Sequence, residues 1–174
     1  MTWPPSATVL AIVALATLAS ISDLRRRQVP NSLTVGAACM GIGMNAILFG
    51  WSGVLLALAG WGAGLLLLFP FYALGGMGAG DVKLLGAFGA WLGPGGALGT
   101  ALFGALAGGV LALAVSLAHG YTGTAFRNLE MLLRSWFLGG IRPIEGVTLS
   151  SSAGPRLPYA IPLAVGAVVA AWLR

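Results

Sequence analysis

VLLALAGWGAGLLLLFPFYAL, residues 54–74, carries no charged side chain, and it runs straight into GGMGAGDVK, residues 75–83. An apolar run of about 20 residues is long enough for a helix to cross the hydrocarbon core of a bilayer. The glycine-rich joint that follows ends on an aspartate and a lysine, Asp81 and Lys83. The fold and the chemistry therefore meet at the end of this run.

Further apolar stretches lie on both sides, at 3–21, 33–49, 82–92, 97–117 and 158–173. Charged residues are 7% of the chain and apolar residues 58%, against about 25% charged in an ordinary soluble domain. So few polar groups could not cover a soluble fold of 174 residues. The 28 glycines come without the Pro period of collagen or the Ser-rich tracts of linkers, and they suit close packing between membrane helices. Gly60-x-x-x-Gly64 and Gly104-x-x-x-Gly108 are small-residue pairs of that kind. The expected fold is an all-α membrane protein: one polytopic domain over residues 1–174, with six transmembrane helices. The stretch 82–92 reaches only about half a bilayer thickness as a helix, so its flanks must extend it or it must sit partly inside the protein. Pro30 biases its predecessor away from helix, and Asn31 offers a side-chain cap to the second stretch. Trp51 suits an interfacial anchor, and 93–96 reads as a turn.

Orientation follows from charge. The first stretch has no basic residue before it and Arg25, Arg26 and Arg27 after it, the reverse of a signal peptide. With the N-terminus outside, the segments 22–32, 75–83 and 118–157 face the cytoplasm, and they hold all basic residues except Arg174. That asymmetry is the positive-inside signal, and it puts both termini on the periplasmic side. Asp23, Asp81, Glu130 and Glu145 fall on the cytoplasmic side as well. In the long loop, Phe126, Leu129, Leu132, Leu133, Trp136 and Phe137 recur at helical spacing, with Arg127, Glu130 and Arg134 opposite. An amphipathic helix in the membrane interface is expected there, with Thr124 as its cap and a Glu130–Arg134 pair at i,i+4.

Asp23 and Asp81 adjoin long apolar runs at the same membrane edge. A carboxylate beside hydrocarbon is costly and marks a functional site by default. Asp23 has a plainer reading as a solvated partner of Arg25, Arg26 or Arg27, and Asp81 as the N-cap of the fourth helix. Paired, they suit peptide hydrolysis: like charges a few ångström apart share one proton, so one carboxylate can activate water while the other polarises the carbonyl. The glycines before Asp81 let backbone approach backbone. A phosphate-binding loop would need Lys and then Ser or Thr after the last glycine, and Asp81 stands there instead. The lone Cys39 forms no internal disulfide or cysteine metal cluster. His119 reads as structural.

Gly78-Ala79-Gly80-Asp81 matches the GxGD signature of intramembrane aspartyl proteases, and the string through Lys83 resembles the form found in type IV prepilin peptidases. Ser22-Asp23-Leu-Arg-Arg-Arg-Gln-Val-Pro30-Asn31 is similar to that family's first aspartate motif, and Pro158-Tyr159-Ala160-Ile161-Pro162 resembles the start of its final helix. The resemblance implies Asp23 and Asp81 as the catalytic dyad. Gly78, Gly80, Lys83, Pro30 and Asn31 would bind substrate or support the dyad, and no metal or other cofactor would be needed. Lys83 would tune the dyad or meet a substrate acid, unless it is a snorkelling anchor. The implied substrate is a prepilin or pseudopilin with a basic leader and a hydrophobic N-terminal helix, cut at the cytoplasmic face of the bacterial inner membrane. The partners are that substrate and the lipid bilayer. The +5 net charge does not imply nucleic acid, because the basic residues are not interleaved with exposed aromatics. Longer relatives carry paired cysteines in a methyltransferase region. About ten residues part the first two stretches here and Cys39 is alone, which resembles the short peptidases of Flp/Tad pili or a minimal single-function peptidase. A small transporter with proton-relaying carboxylates is the rival, but it expects acids near the midplane. A non-catalytic scaffold of pilus assembly would not need both carboxylates.

Overall fold

The computed structural model describes residues 5–120, 122–123, 127, 130–131, 134 and 158–173. Among these the protein is all-α, with four helices: α1 (Pro5–Arg26), α2 (Asn31–Ala73), α3 (Ala79–Ala118) and α4 (Ala160–Trp172). The first three are long and apolar enough to cross a membrane. Their outer faces bear Leu10, Ile47, Trp51, Leu66 and Val110, each at least 70% exposed. Large apolar side chains spread so widely over a surface are at home in lipid, not water.

Helices α2 and α3 are each longer than any one of the expected stretches because each contains a break. Gly50 has φ 60° and ψ −143° inside α2, and Gly93 has φ 64° and ψ −177° inside α3. Eight residues of unbroken helix span about 12 Å. Yet a Cβ on Gly53 would run into the Asn45 carbonyl, and a Cβ on Gly89 would lie 3.2 Å from the Ala97 Cβ. Both helices therefore double back on themselves, each at a single glycine whose left-handed backbone costs little without a Cβ. The turn expected over 93–96 contracts to Gly93, and Pro94 restarts the helix where its missing N–H is harmless.

The segments pack through small residues. Gly60 meets the Gly89 carbonyl and Gly93, while Gly64 meets Leu85 and Gly86, so 51–73 runs antiparallel to the first part of α3. Farther along, Gly99 lies against Ala170, Gly104 against Leu163 and Gly108 against Tyr159, which sets α4 antiparallel to the second part of α3. Polar ties pin the first part of α2 to α3: Trp91 Nε1 donates to the Ala37 carbonyl at 2.8 Å, and Asn45 Nδ2 to the Ala90 carbonyl at 3.2 Å. Such ties in a membrane bundle contribute about 0.6 kcal/mol each. The short stretch before Gly93 sits inside the protein: every residue from 84 to 93 is buried. Its limited length is thus no defect, since it meets protein rather than lipid.

Several expected boundaries move. Asn31 does not cap α2: Pro30 is the N-cap, with no side-chain cap bond, and Asn31 opens the helix. Likewise Gly78, not Asp81, caps α3. The first helix continues past Ile21 to Arg26, so Asp23 lies inside its last turns, where Arg25 and Arg26 favour the helix C-terminus. The amphipathic helix expected over 126–137, with its cap at Thr124, falls largely outside the described residues. The Glu130–Arg134 pair is formed at 2.7 Å with both side chains exposed.

Candidate active site

The two aspartates come from different helices and reach one end of the bundle. Helix α1 delivers Asp23 and then ends in an uncommon way. Arg27 takes φ 51°, and its N–H donates to the Asp23 carbonyl at 2.8 Å, closing the helix with a left-handed residue as glycine often does. Ser22 Oγ donates to the Gln28 carbonyl at 2.9 Å and holds the turn. The chain then leaves through Val29 and Pro30 into α2. Opposite, Gly75 turns the chain with φ 73°, and α3 starts at Ala79, which places Asp81 in its first turn.

Small residues let these two turns meet. A Cβ on Gly80 would lie 3.4 Å from Val29 Cβ, and a Cβ on Gly78 would lie 3.3 Å from Asp81 Oδ2. The Asp81 N–H donates to the Gly78 carbonyl at 3.2 Å. In return the Gly78 N–H donates to the Asp81 carboxylate, a reciprocal arrangement like a capping box. Between the turns lies a cavity of about 390 Å³ lined by Asp23, Arg27, Gln28, Val29, Pro30, Asn31, Gly78, Ala79, Gly80 and Asp81. The carboxylates of Asp23 and Asp81 feel each other's charge.

Each carboxylate is held differently. Asp23 is only 8% exposed, and its Oδ2 accepts the Ala160 N–H at 3.2 Å, at the N-terminal end of α4, where a helix favours negative charge. Asp81 is half-buried. The exposed Lys83 points to neither: its Nζ donates to Asn31 Oδ1 at 2.9 Å, so these two site candidates meet each other at the rim. All seven residues singled out from the sequence thus gather at this end, six of them lining the cavity and Lys83 reaching it through Asn31. The residues missed were Arg27, read only as one basic residue among three, and Tyr159 with Ala160. The Pro-Tyr-Ala-Ile-Pro start of the last stretch was the available signal. Among the described residues, no three His, Cys, Asp or Glu side chains converge as a metal site would require.

With two carboxylates in a single cleft, the comparison with known families is decisive about class. The profile of the type IV leader peptidase family matches residues 10–113, well over half of the 174-residue chain, and takes in both aspartates. The chain belongs to the type IV leader peptidase family. Membership makes it a leader peptidase-like protease, and the long apolar helices make it a multi-pass membrane protein. Comparison with curated proteins and with solved structures gave no match.

Proposed function

We propose that the protein is an aspartyl endopeptidase of the GxGD type, with Asp23 and Asp81 as its dyad, removing basic leaders from prepilin or pseudopilin precursors. The observation that carries this reading is that two carboxylates 58 positions apart in sequence line one cavity and interact there. With one proton shared between them, the ionised member takes a proton from a trapped water while the protonated member gives its own to the scissile carbonyl oxygen. The water oxygen bonds to the carbonyl carbon. On collapse the carbon–nitrogen bond breaks, the amine leaves with the proton first taken from water, and the other carboxylate recovers its own. One water is consumed, the leader ends in a carboxylate, and the mature chain starts with an amine.

Gly78, Gly80 and the Pro30-Asn31 turn leave room for an extended substrate segment in the cavity, with the substrate's hydrophobic helix lying in the bilayer beside the bundle. Lys83, held by Asn31, guards the rim. No cofactor takes part. The chain crosses the bacterial inner membrane six times, with both termini periplasmic and the cavity facing the cytoplasm. The reversals at Gly50 and Gly93 and the gathering of the turns 27–30, 74–79 and 158–160 at one end support this layout. Within residues 1–174 Cys39 is the single cysteine, so this stretch holds no paired cysteines of the kind that mark a methyltransferase region, and it suits the peptidases of Flp/Tad-type pili.

Coexpression with a prepilin tests the assignment, with leader removal read as a mass change of the pilin. Wild type should process it, while Asp23→Ala and Asp81→Ala, present at normal membrane levels, should not. Near wild-type processing by either variant would refute the dyad.

A further inference from the structure

Asn31 and Lys83 meet across the mouth of the cavity. Asn31 opens α2 and lines the cavity wall, and Lys83 lies in α3 less than one turn past Asp81. Lys83 Nζ donates to Asn31 Oδ1 at 2.9 Å, and both side chains are exposed. An ammonium has donors and no acceptor, so the atom it meets must be the amide oxygen. The bond therefore settles which way round the Asn31 amide stands: the oxygen is turned to Lys83, and the NH2 group is the end left to face a ligand. Among the described residues, that nitrogen has no partner. The base of the side chain is held as well. Pro30 enters α2 with φ −63° and ψ 141°. Its carbonyl accepts the N–H groups of Leu33 and Thr34 at 3.1 and 3.2 Å, and Thr34 Oγ1 donates to the Asn31 carbonyl at 3.3 Å. An extended peptide carries a carbonyl on every residue, and at a membrane edge each one needs a donor. Of the two amides in the cavity wall, Gln28 and Asn31, Asn31 is the one whose orientation a second side chain fixes among the described residues.

We propose that Asn31 Nδ2 is a substrate-binding donor that holds a main-chain carbonyl of the extended substrate segment beside the scissile bond. Lys83 is the positioning residue that keeps the amide turned for this. The proposal deepens the aspartyl protease reading and rests on it. Because Lys83 and Asp81 share one end of α3, the donor is tied to the helix that carries this carboxyl, and a carbonyl seated on it is registered against the dyad. The contact recognises backbone rather than side chains.

The test uses full-length enzyme in liposomes with a prepilin substrate. It measures kcat and KM for wild type, Asn31→Ala, Asn31→Asp, Lys83→Met, Lys83→Arg and the double variant Asn31→Ala/Lys83→Met, each at its own optimum pH, with Asp23→Asn and Asp81→Asn in parallel. Both side chains are exposed, so the substitutions spare the core. Asn31→Ala should raise KM about fivefold, the scale of one neutral hydrogen bond, with kcat nearly unchanged, as the loss of a binding contact requires. Asn31→Asp should raise KM as much: it keeps an oxygen for Lys83 but has no N–H to give. Lys83→Met should raise KM about twofold, since the donor remains but is no longer oriented, and Lys83→Arg, which keeps the donated N–H, should recover most of that loss. The double variant should be no worse than Asn31→Ala, because Lys83 acts through Asn31. A wild-type KM in Asn31→Asp, with both aspartate variants inactive, would reduce the pair to a structural strut and leave the dyad standing. A loss from Lys83→Met that persists in the Asn31→Ala background would likewise overturn the positioning role. Activity in an aspartate variant would overturn the protease reading and this proposal together.

Discussion

Asp23 and Asp81 are separated by nearly half the described chain, yet each owes its position to its immediate neighbours. Arg27, in a left-handed conformation, closes α1 on the Asp23 carbonyl and turns the chain toward Pro30, beside the inward-facing Asp23. Gly78 and Gly80 lack the Cβ atoms that would press on Asp81 Oδ2 at 3.3 Å and on Val29 at 3.4 Å. Gly80→Leu should therefore part the two turns and cut leader processing by at least tenfold while the protein still accumulates in the membrane. Processing and immunoblotting of the same membranes check this. A dyad sharing one proton also fixes the pH response. At low pH both carboxyls are protonated and no base remains; at high pH both are ionised and no acid remains. The rate should follow a bell in pH and should survive chelators, because the proton chemistry is supplied by the carboxyls. A monotonic profile over the range in which the enzyme stays folded would contradict the shared proton. The aspartates were legible in the sequence because a carboxylate beside a long apolar run is hard to explain otherwise. Asn31 was misread as a cap because capping preference describes an isolated helix end, and Lys83, a residue distant in sequence, claims its side-chain oxygen. The Ala160 contact has no side-chain signature, being made by a backbone N–H, and only the Pro-Tyr-Ala-Ile-Pro string around it marks the place.

The apolar stretches gave the helical segments, but the lengths of the elements depend on glycines whose role only packing reveals. Gly50 and Gly93 reverse the chain with almost no loop, so what reads as two stretches with a turn is one broken helix. The same residue type does opposite work elsewhere in α2. A Cβ on Gly60 would strike the Gly89 carbonyl and Gly93, while a Cβ on Gly62 would meet nothing within 4 Å. Gly60→Leu should force the second half of α2 away from α3 at a cost of at least about 1–3 kcal/mol, seen as a lower unfolding temperature in detergent. Gly62→Ala should be neutral or slightly stabilising, as glycine in a helix interior is disfavoured by about 0.5–1 kcal/mol relative to alanine. Equal behaviour of the two variants would contradict the packing described.

For the whole molecule, the long outer helices carry the lipid-facing surface, and the short segments 79–92 and α4 sit largely within protein, bringing Asp81 and Ala160 to Asp23. Charge asymmetry in the sequence pointed to a single working end, and the bonds Asn31–Lys83 and Asp23–Ala160 join the turns at that end. In a Cys39→Ser background, Ser52→Cys should react with a membrane-impermeant maleimide from the periplasmic side, and Gly76→Cys should react only after the membrane is opened. The reverse pattern would invert the proposed orientation. The central claim is that these two carboxyls, meeting in one cavity, hydrolyse the leader peptide bond. Its most direct test is leader release by purified enzyme in liposomes, comparing wild type with Asp23→Asn, Asp81→Asn and, as a control carboxyl in an exposed ion pair, Glu130→Gln. The account predicts a wild-type rate for Glu130→Gln and rates at least about 100-fold lower for each aspartate variant; release by Asp23→Asn or Asp81→Asn at a rate close to wild type would contradict it.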